Sequence, residues 1–152
     1  MISAKEVQRL RQETGAGMMD CKRALEQAGG DYGKAKVILR ELGFERAQRN
    51  ADRVAAQGLV VAYVHANGRF GVLVELNSET DFVARSPEFR ELAREIAMQV
   101  GAMAPESVED LLTQPYIRDG SKTVQDLVTA LAAKVGENIK VHRFARYELG
   151  GA

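Results

Sequence analysis

The sequence predicts an α+β protein in which a small helical bundle precedes an antiparallel sheet. Three short helical patterns, each followed by glycine, fill residues 1–43. From Gly58 the apolar residues alternate with a period of two around Asn67-Gly68, the dipeptide most typical of a β-hairpin. Two amphipathic helices and a third strand follow. We therefore expect an α+β core with a three-stranded antiparallel sheet.

The first helix has a well-specified beginning. Ser3 is placed to cap it, and Glu6 follows three residues later, as in a capping box. Ile2 and Val7 have the spacing of a hydrophobic staple. The "TGAG" at residues 14–17 then interrupts the helical pattern. The first helix should therefore end before these glycines.

Two further short helices complete the bundle. The second carries an apolar stripe at spacings of three and four residues, formed by Met18, Cys21, Leu25 and Ala28. Gly29-Gly30 ends it, Asp31 is placed to cap the third helix, and Gly43 is placed to close that helix in the left-handed conformation. A bundle of this size buries little surface. We therefore interpret residues 1–43 as an attached binding module.

A helical linker and a hairpin come next. Residues 44–57 are polar and lack proline and glycine, so we interpret them as the linker and residues 58–152 as the core. A two-residue turn at Asn67-Gly68 gives the register His65–Phe70, Tyr63–Val72, Val61–Val74 and Leu59–Leu76. This register places nearly all the large apolar side chains of the hairpin on one face, which therefore faces a core.

The next helix has the pattern needed to cover that face. Ser86 is placed as its cap and Pro87 as its first residue. Its apolar stripe consists of Phe89, Leu92, Ala93, Ile96, Ala97 and Val100. Gly101 is placed to end it, and residues 102–122 are interpreted as a loop region that contains proline. Thereafter "TVQDLVTALAAKVG" predicts an amphipathic helix and "ENIKVHRFARYEL" predicts the third strand.

The composition excludes several classes of protein. Lys plus Arg and Asp plus Glu number 21 each, so the net charge gives no indication of direct nucleic-acid or membrane binding. Cys21 is the only cysteine, which excludes an internal disulfide and fits a reducing compartment. No apolar run approaches the roughly 20 residues that cross a bilayer, and residues 1–10 lack the apolar segment of a signal peptide. We therefore predict a cytoplasmic protein.

The signals for catalysis are weak. The Gly-x-Gly of "TGAGMMDCK" lacks both a preceding strand and the Gly-Lys-Ser/Thr ending of a phosphate-binding loop. Cys21 lies on an apolar stripe, where a buried and inert thiol is expected, and two histidines do not make a metal site. Glu79 and Asp81 lack the basic or electrophilic helpers of a catalytic pair. The sequence thus predicts neither an enzyme nor a cofactor or metal site, and favours a binding or regulatory role.

Two apolar residues stand where polar ones are expected. Met19 is rotated about 100° from Met18 on the second helix and is either an isolated exposed side chain or a contact for a partner. Phe82 and Val83 lie in a segment, "NSETDFVARS", that connects a strand to a helix. We expect one of these two to enter the core, and the pattern does not say which.

Three separated segments carry a resemblance. "LRQETGAGMMDCKRAL", "VLVELNSETDFVARS" and "KVGENIKVHRFARYEL" are similar, in this order, to segments of the translation elongation factor Ts family, in its short form. The match is specific, and it leaves mainly residues 101–122 without a clear counterpart. The resemblance implies that the N-terminal bundle is ubiquitin-associated-like and that residues 58–152 form a core for exchange and dimerisation.

The resemblance also implies an activity and a partner. The activity is guanine nucleotide exchange on elongation factor Tu, in which the factor promotes GDP release by disturbing the magnesium and phosphate site of this GTPase, without covalent chemistry of its own. The stretch that presses on the partner's nucleotide-binding domain and helps to dislodge magnesium is matched by Thr80, Asp81, Phe82 and Val83. The N-terminal positions that touch the same domain are matched by Arg11, Met18, Met19 and Lys22.

The length departs from the longer members of that family. Those have a duplicated core subdomain and a helical hairpin, for which 152 residues leave no room. Short members can supply the missing half with a second copy, so we expect a homodimer built around the C-terminal strand and sheet. That strand contains no cysteine, so the dimer would be noncovalent. The alternative function is a ubiquitin-associated-type adaptor for some other protein. Only the exchange function requires coelution with elongation factor Tu from a lysate.

Overall fold

The N-terminal part of the chain is a bundle of three helices. The structure, a computed structural model, describes residues 1–151. The helices of the bundle are α1 (Ala4–Thr14), α2 (Met18–Gln27) and α3 (Tyr32–Asn50). The predicted capping box is present, since Ser3 Oγ accepts from the backbone N–H of Glu6 and the Glu6 carboxylate accepts from that of Ser3. The left-handed Gly15 ends α1, and Asp31 caps α3, as the sequence predicts.

The bundle has its own small hydrophobic cluster. Its buried side chains come from all three helices and are Val7, Leu10, Cys21, Ala24, Leu25, Ala35 and Leu39. Cys21 is fully buried, and burial raises the pKa of its thiol. The prediction of a buried thiol is confirmed, because a protonated thiol inside an apolar cluster packs as a small hydrophobic group.

The core consists of a three-stranded sheet, a short hairpin and four helices. In chain order these are β1 (Gln57–Val64), β2 (Phe70–Ser78), α4 (Asp81–Ala84), α5 (Pro87–Met103), α6 (Val108–Thr113), β3 (Pro115–Tyr116), β4 (Asp119–Thr123), α7 (Val124–Val135) and β5 (Lys140–Glu148). The sheet has the order β1-β2-β5 and is antiparallel throughout. This confirms the predicted α+β fold with a three-stranded antiparallel sheet.

The register of the β1–β2 hairpin is as predicted. Leu59 pairs with Leu76, Val61 with Val74 and Tyr63 with Val72. The turn differs slightly from the predicted two-residue turn. Gly68 N–H donates to the carbonyl of His65 at 2.8 Å, and within residues 65–68 the positive φ is that of Gly68, 71°. The tight turn thus spans residues 65–68 and ends at the left-handed Gly68, an arrangement common in slightly longer hairpin loops. The number of residues between the strands is unchanged, so the register is preserved.

The inner face of the sheet packs on α5, and side chains of α7 belong to the same core cluster. The fully buried side chains at this contact include Val74 and Leu76 from β2 and Phe89, Ile96 and Val100 from α5. Burial of a side chain of this size stabilises the fold by about 1.5–3 kcal/mol. The core therefore gives firm support to the segment that connects β2 to α5.

Two glycines that the sequence marks as helix ends lie inside helices. Helix α3 continues through Gly43 to Asn50, and α5 continues through Gly101 to Met103, so both predicted ends are wrong. A Cβ atom on Gly43 would lie 2.9 Å from Ala133 Cβ of α7, and one on Gly101 would lie 2.5 Å from Phe70 Cε2. Both glycines are thus required by the close approach of another element.

The predicted linker is only partly a helix. Residues 44–50 belong to α3, and residues 51–56 form an irregular connection to β1. Because α3 crosses the boundary after residue 43 and packs on α7, the bundle is held against the core along this helix. The division into residues 1–43, 44–57 and 58–152 stays a prediction.

Residues 102–122, interpreted as a loop, contain regular structure. They include the end of α5, all of α6 and most of the β3–β4 hairpin. The fully buried Gln99 holds this hairpin, since its Nε2 donates to the carbonyl of Pro115 at 3.0 Å and its Oε1 accepts from Ile117 N–H at 2.9 Å. The sequence pattern misses this region because a tertiary contact with a polar side chain orders it.

Among residues 1–151, no helix combines the length and the apolar character that crossing a bilayer requires.

Candidate functional site

A single helical turn carries the apolar pair that interrupts the polar connection between β2 and α5. In α4, Val83 is 7% exposed and Ala84 is 1% exposed, and both belong to the core cluster. Phe82 is 82% exposed. Successive residues of a helix point about 100° apart, so a turn that buries Val83 and Ala84 directs Phe82 away from the core. The expectation that one of the pair enters the core is confirmed, and that residue is Val83.

Hydroxyl groups hold this turn at both ends. Thr80 is the N-cap of α4, and its Oγ1 accepts from Val83 N–H at 3.3 Å. The buried Ser78 donates from Oγ to the carbonyl of Thr80 at 2.8 Å. Ser86, the cap of α5, donates from Oγ to the carbonyl of Val83 at 2.7 Å. The backbone on either side of Phe82 is therefore held by hydrogen bonds, while the side chain of Phe82 is exposed.

Glu137, a polar residue that no sequence motif marks, also holds the turn. Its carboxylate accepts from the backbone N–H groups of Glu79 and Thr80 at 3.1 and 3.0 Å. It accepts as well from Thr80 Oγ1 at 2.7 Å. The only signal in the sequence is the polar "GEN" that follows the last helix, and such a loop does not reveal its partner.

Glu79 and Asp81 do not form a pair. Glu79 Oε2 accepts from Asn138 N–H at 2.6 Å, whereas Asp81 forms a surface ion pair with Arg85 at 3.0 Å. Each carboxylate thus has a separate structural partner. Within the described part of the chain, no group of three or more His, Cys, Asp or Glu side chains is arranged to hold a metal ion.

The second set of predicted residues lies together on the bundle. Arg11 of α1 and Met18, Met19 and Lys22 of α2 line one groove of about 590 Å³. Met18 is 54% exposed and Met19 58%, so the prediction that Met18 continues the buried stripe is wrong. Met18 is the first residue of α2, where the neighbouring helices no longer cover the stripe. Residues 80–83 lie outside this groove, so the predicted residues form two separate surfaces.

The helix that carries the methionines is tied to α3. The Asp20 carboxylate accepts from Arg46 at 2.7 and 3.2 Å and from Arg23 at 2.8 Å. These bonds, those of Arg46 first, lower the pKa of Asp20. Its carboxylate therefore stays ionised at neutral pH, and α2 is fixed where it presents Met19.

The outer face of the sheet is apolar and uncovered. Its exposed side chains in neighbouring register positions include Val60, Ala62, Leu73, Ala145 and Tyr147. Antiparallel sheets that face water usually place polar residues on the outer side. Val141 and Phe144 of β5 lie on the opposite face and pack towards the core. Substitution of either residue would therefore change the stability of the core and would not test a contact on the outer face.

Comparisons with known proteins agree on one family. A family model described as "Elongation factor TS" matches residues 79–152. The protein named elongation factor Ts from Coprothermobacter proteolyticus is 45% identical, and the alignment covers 98% of this chain and 98% of that protein. The proteins of the same name from Carboxydothermus hydrogenoformans and Caldanaerobacter subterraneus subsp. tengcongensis are 44% and 45% identical over 99% of this chain and 90% and 98% of their own lengths.

These alignments run over 194 or 195 positions, more than the 152 residues of this chain. Each relative therefore has positions without a counterpart here. The alignments nevertheless cover 98% or 99% of this chain. The chain belongs to the elongation factor Ts family.

Proposed function

We propose that this protein is a guanine nucleotide exchange factor for elongation factor Tu in translation elongation. Membership of the elongation factor Ts family supports the partner. The single observation that supports the mechanism is Phe82, a large aromatic side chain that is 82% exposed on a turn fixed by the core. The protein acts by binding and without covalent chemistry of its own.

The physical requirement for exchange is differential affinity. A GTPase holds its nucleotide through a phosphate-binding loop and a magnesium ion that neutralises the phosphate charge. An exchange factor binds the nucleotide-free conformation more tightly than the loaded one, and so weakens the binding of nucleotide. By linkage, the nucleotide weakens the binding of the exchange factor by the same factor. The exchange factor therefore needs a rigid feature that fits only the nucleotide-free conformation.

The turn that contains residues 80–83 has the properties of such a feature. Val83 fixes it to the core and Thr80 caps it, while Phe82 projects outward. Pressing this ring between packed elements of the partner moves them by a discrete step and disturbs the magnesium and phosphate site. Asp81 is exposed beside it and forms a surface ion pair with Arg85, so it remains accessible to polar groups of the partner.

The groove on the bundle provides the second contact with the same partner. Met18 and Met19 offer flexible apolar side chains, which suit adaptable interfaces, and Arg11 and Lys22 add positive charge at its edge. Because α3 packs closely on α7 at Gly43, the groove and the turn are carried on one connected framework. Binding at the groove thus holds Phe82 near its site on the partner and increases the affinity of the whole complex.

The experiment that tests this function is stopped-flow release of fluorescently labelled GDP from elongation factor Tu. We expect release to accelerate with increasing concentration of the protein and to approach a plateau, as for a catalyst that forms a ternary complex. Coelution of the two proteins after removal of nucleotide is the companion measurement. A GDP release rate that does not change with the protein present would refute the proposal and favour the adaptor.

We further propose that two copies associate noncovalently through the outer face of the sheet. The exposed Val60, Leu73 and Tyr147 form an apolar surface with Leu73 near its centre, and the Glu75–Arg143 ion pair lies beside Val60 at one end. Two such sheets can pack face to face at about 10 Å. A second copy fits because the same apolar surface is present on both partners, as a two-fold interface requires.

Leu73→Asp tests this dimer. We expect the variant to be monomeric at micromolar concentration, because a carboxylate without a partner is costly in an apolar interface. Leu73 is half exposed, so the variant should remain folded. Multi-angle light scattering gives the mass, and Ile117→Asp, on the exposed β3–β4 connection, is the matched control. A wild-type protein that is monomeric throughout this concentration range, or a dimeric Leu73→Asp, would contradict the proposed interface.

A further inference from the structure

Two loops of the core hold each other by reciprocal hydrogen bonds. The Glu137 carboxylate accepts from the backbone N–H groups of Glu79 and Thr80, and the Glu79 carboxylate accepts from the backbone N–H of Asn138. Bonds to an ionised acceptor are stronger than those between neutral groups. The segment that leads into α4 is therefore held by the loop that follows α7.

The same loop reaches the connection between α3 and β1. Asn138 is 5% exposed, and its Nδ2 donates to the carbonyls of Ala51 and Arg53 at 3.1 and 2.7 Å. Arg53 also approaches Glu79 Oε2 at 3.8 Å. The start of the Phe82 turn, the end of α7 and the end of α3 thus belong to one hydrogen-bonded network.

Helix α4 needs such support because it is very short. It has four residues, and the backbone bonds that close it run from Ala84 to Thr80 and from Arg85 to Asp81 at 3.3 and 3.1 Å. A single helical turn is unfavourable by itself, since ordering its residues costs more than one or two hydrogen bonds return. The burial of Val83 fixes the inner side of the turn, and Glu137 fixes its N-terminal end.

We infer that Glu137 is a positioning residue that holds the Phe82 turn in its binding conformation before the partner arrives. This inference rests on the exchange function proposed above. Glu137 acts through Phe82: by restraining residues 79 and 80 it reduces the conformational freedom that the turn would otherwise lose on binding. Asn138 extends the restraint to the residues that follow α3, which is the third helix of the bundle.

The test compares Glu137→Ala with Asp126→Ala. Asp126 is the matched control because its carboxylate also accepts from a backbone N–H, that of Thr123 at 2.9 Å, but at the other end of α7. We expect Glu137→Ala to reduce the affinity for nucleotide-free elongation factor Tu about tenfold and the rate of GDP release at subsaturating concentration by the same factor, equivalent to about 1.4 kcal/mol. Asp126→Ala should leave both unchanged in the folded protein.

A double-mutant cycle with Phe82→Ala separates positioning from a direct or purely structural role. If Glu137 acts through the ring, Glu137→Ala should cost less than twofold in the Phe82→Ala background. A full tenfold loss in that background overturns the inference. If Phe82→Ala itself exchanges at the wild-type rate, the proposed mechanism fails; if Phe82→Ala is slow and Glu137→Ala is not, only the positioning role fails.

A readout without the partner completes the test. The chain contains no tryptophan, so Phe82→Trp places a single tryptophan, which can be excited selectively over tyrosine, on the turn. We expect time-resolved anisotropy to show a larger amplitude of fast motion when Glu137→Ala is added, and no change when Asp126→Ala is added. If Glu137→Ala does not fold, Glu137→Gln replaces it, with an expected loss of about threefold, since the amide oxygen retains one acceptor. Unchanged anisotropy when a Glu137 substitution is added to Phe82→Trp overturns the inference.

Discussion

Phe82→Ala should reduce the affinity for nucleotide-free elongation factor Tu about thirtyfold, and slow GDP release accordingly, without lowering the melting temperature. Truncation of an aromatic side chain at the centre of an interface commonly costs about 2 kcal/mol or more, which corresponds to this factor. Phe82 is 82% exposed, so its removal leaves no cavity in the core. Thermal melting and stopped-flow GDP release on the same preparation measure both quantities.

Val83→Ala is the matched control for that experiment. Val83 is the next residue and is 7% exposed, so its truncation removes buried methyl groups. We expect it to lower the free energy of unfolding by about 2 kcal/mol and the melting temperature by several degrees. If Phe82→Ala melts at a lower temperature than the wild type and yet exchanges at the wild-type rate while folded, Phe82 stabilises the fold and does not act on the partner.

Met19→Asp should weaken the complex at least tenfold and leave the bundle folded. The substitution places a carboxylate in a groove that we propose to be covered by the partner, where an unpaired charge is costly. The bundle tolerates it because Met19 is 58% exposed and lies in the first turn of α2, where negative charge is favourable. Isothermal titration with nucleotide-free elongation factor Tu measures the loss.

Val37→Asp is the control for the groove. Val37 is on α3 of the same bundle and is 55% exposed, close to the exposure of Met19, but it does not line the groove. We expect it to bind the partner with wild-type affinity. Equal losses for both variants would mean that the groove has no special role and that charge anywhere on the bundle impairs binding.

Much of the fold is specified locally and was predicted from the amino-acid sequence. Ser3, Asp31 and Ser86 cap helices because their oxygens accept from N–H groups three residues ahead, which requires no distant partner. The hairpin register follows from the period of two and from Asn67-Gly68, since a shift by one residue would expose every core side chain of the strand.

Two members of the candidate site stand out in the sequence by their polarity, and the resemblance to the family supplied the site as a whole. Phe82 interrupts a polar connection, and Met19 departs from the apolar stripe of its helix. The pattern does not separate Phe82 from Val83, because both are apolar neighbours in a short segment with no period of its own. Only the packing of α4 against the core determines which of the two is exposed.

The tertiary structure alone decided the features that depend on distant residues. A glycine near a helix end is read locally as a left-handed cap, yet Gly43 and Gly101 serve the approach of Ala133 and Phe70, which the local pattern does not show. Glu137 is likewise an ordinary polar residue of a loop until the fold brings it against Thr80. Caps, turns and periods are properties of a few adjacent residues, whereas close approach and long-range hydrogen bonds exist only after the chain has folded.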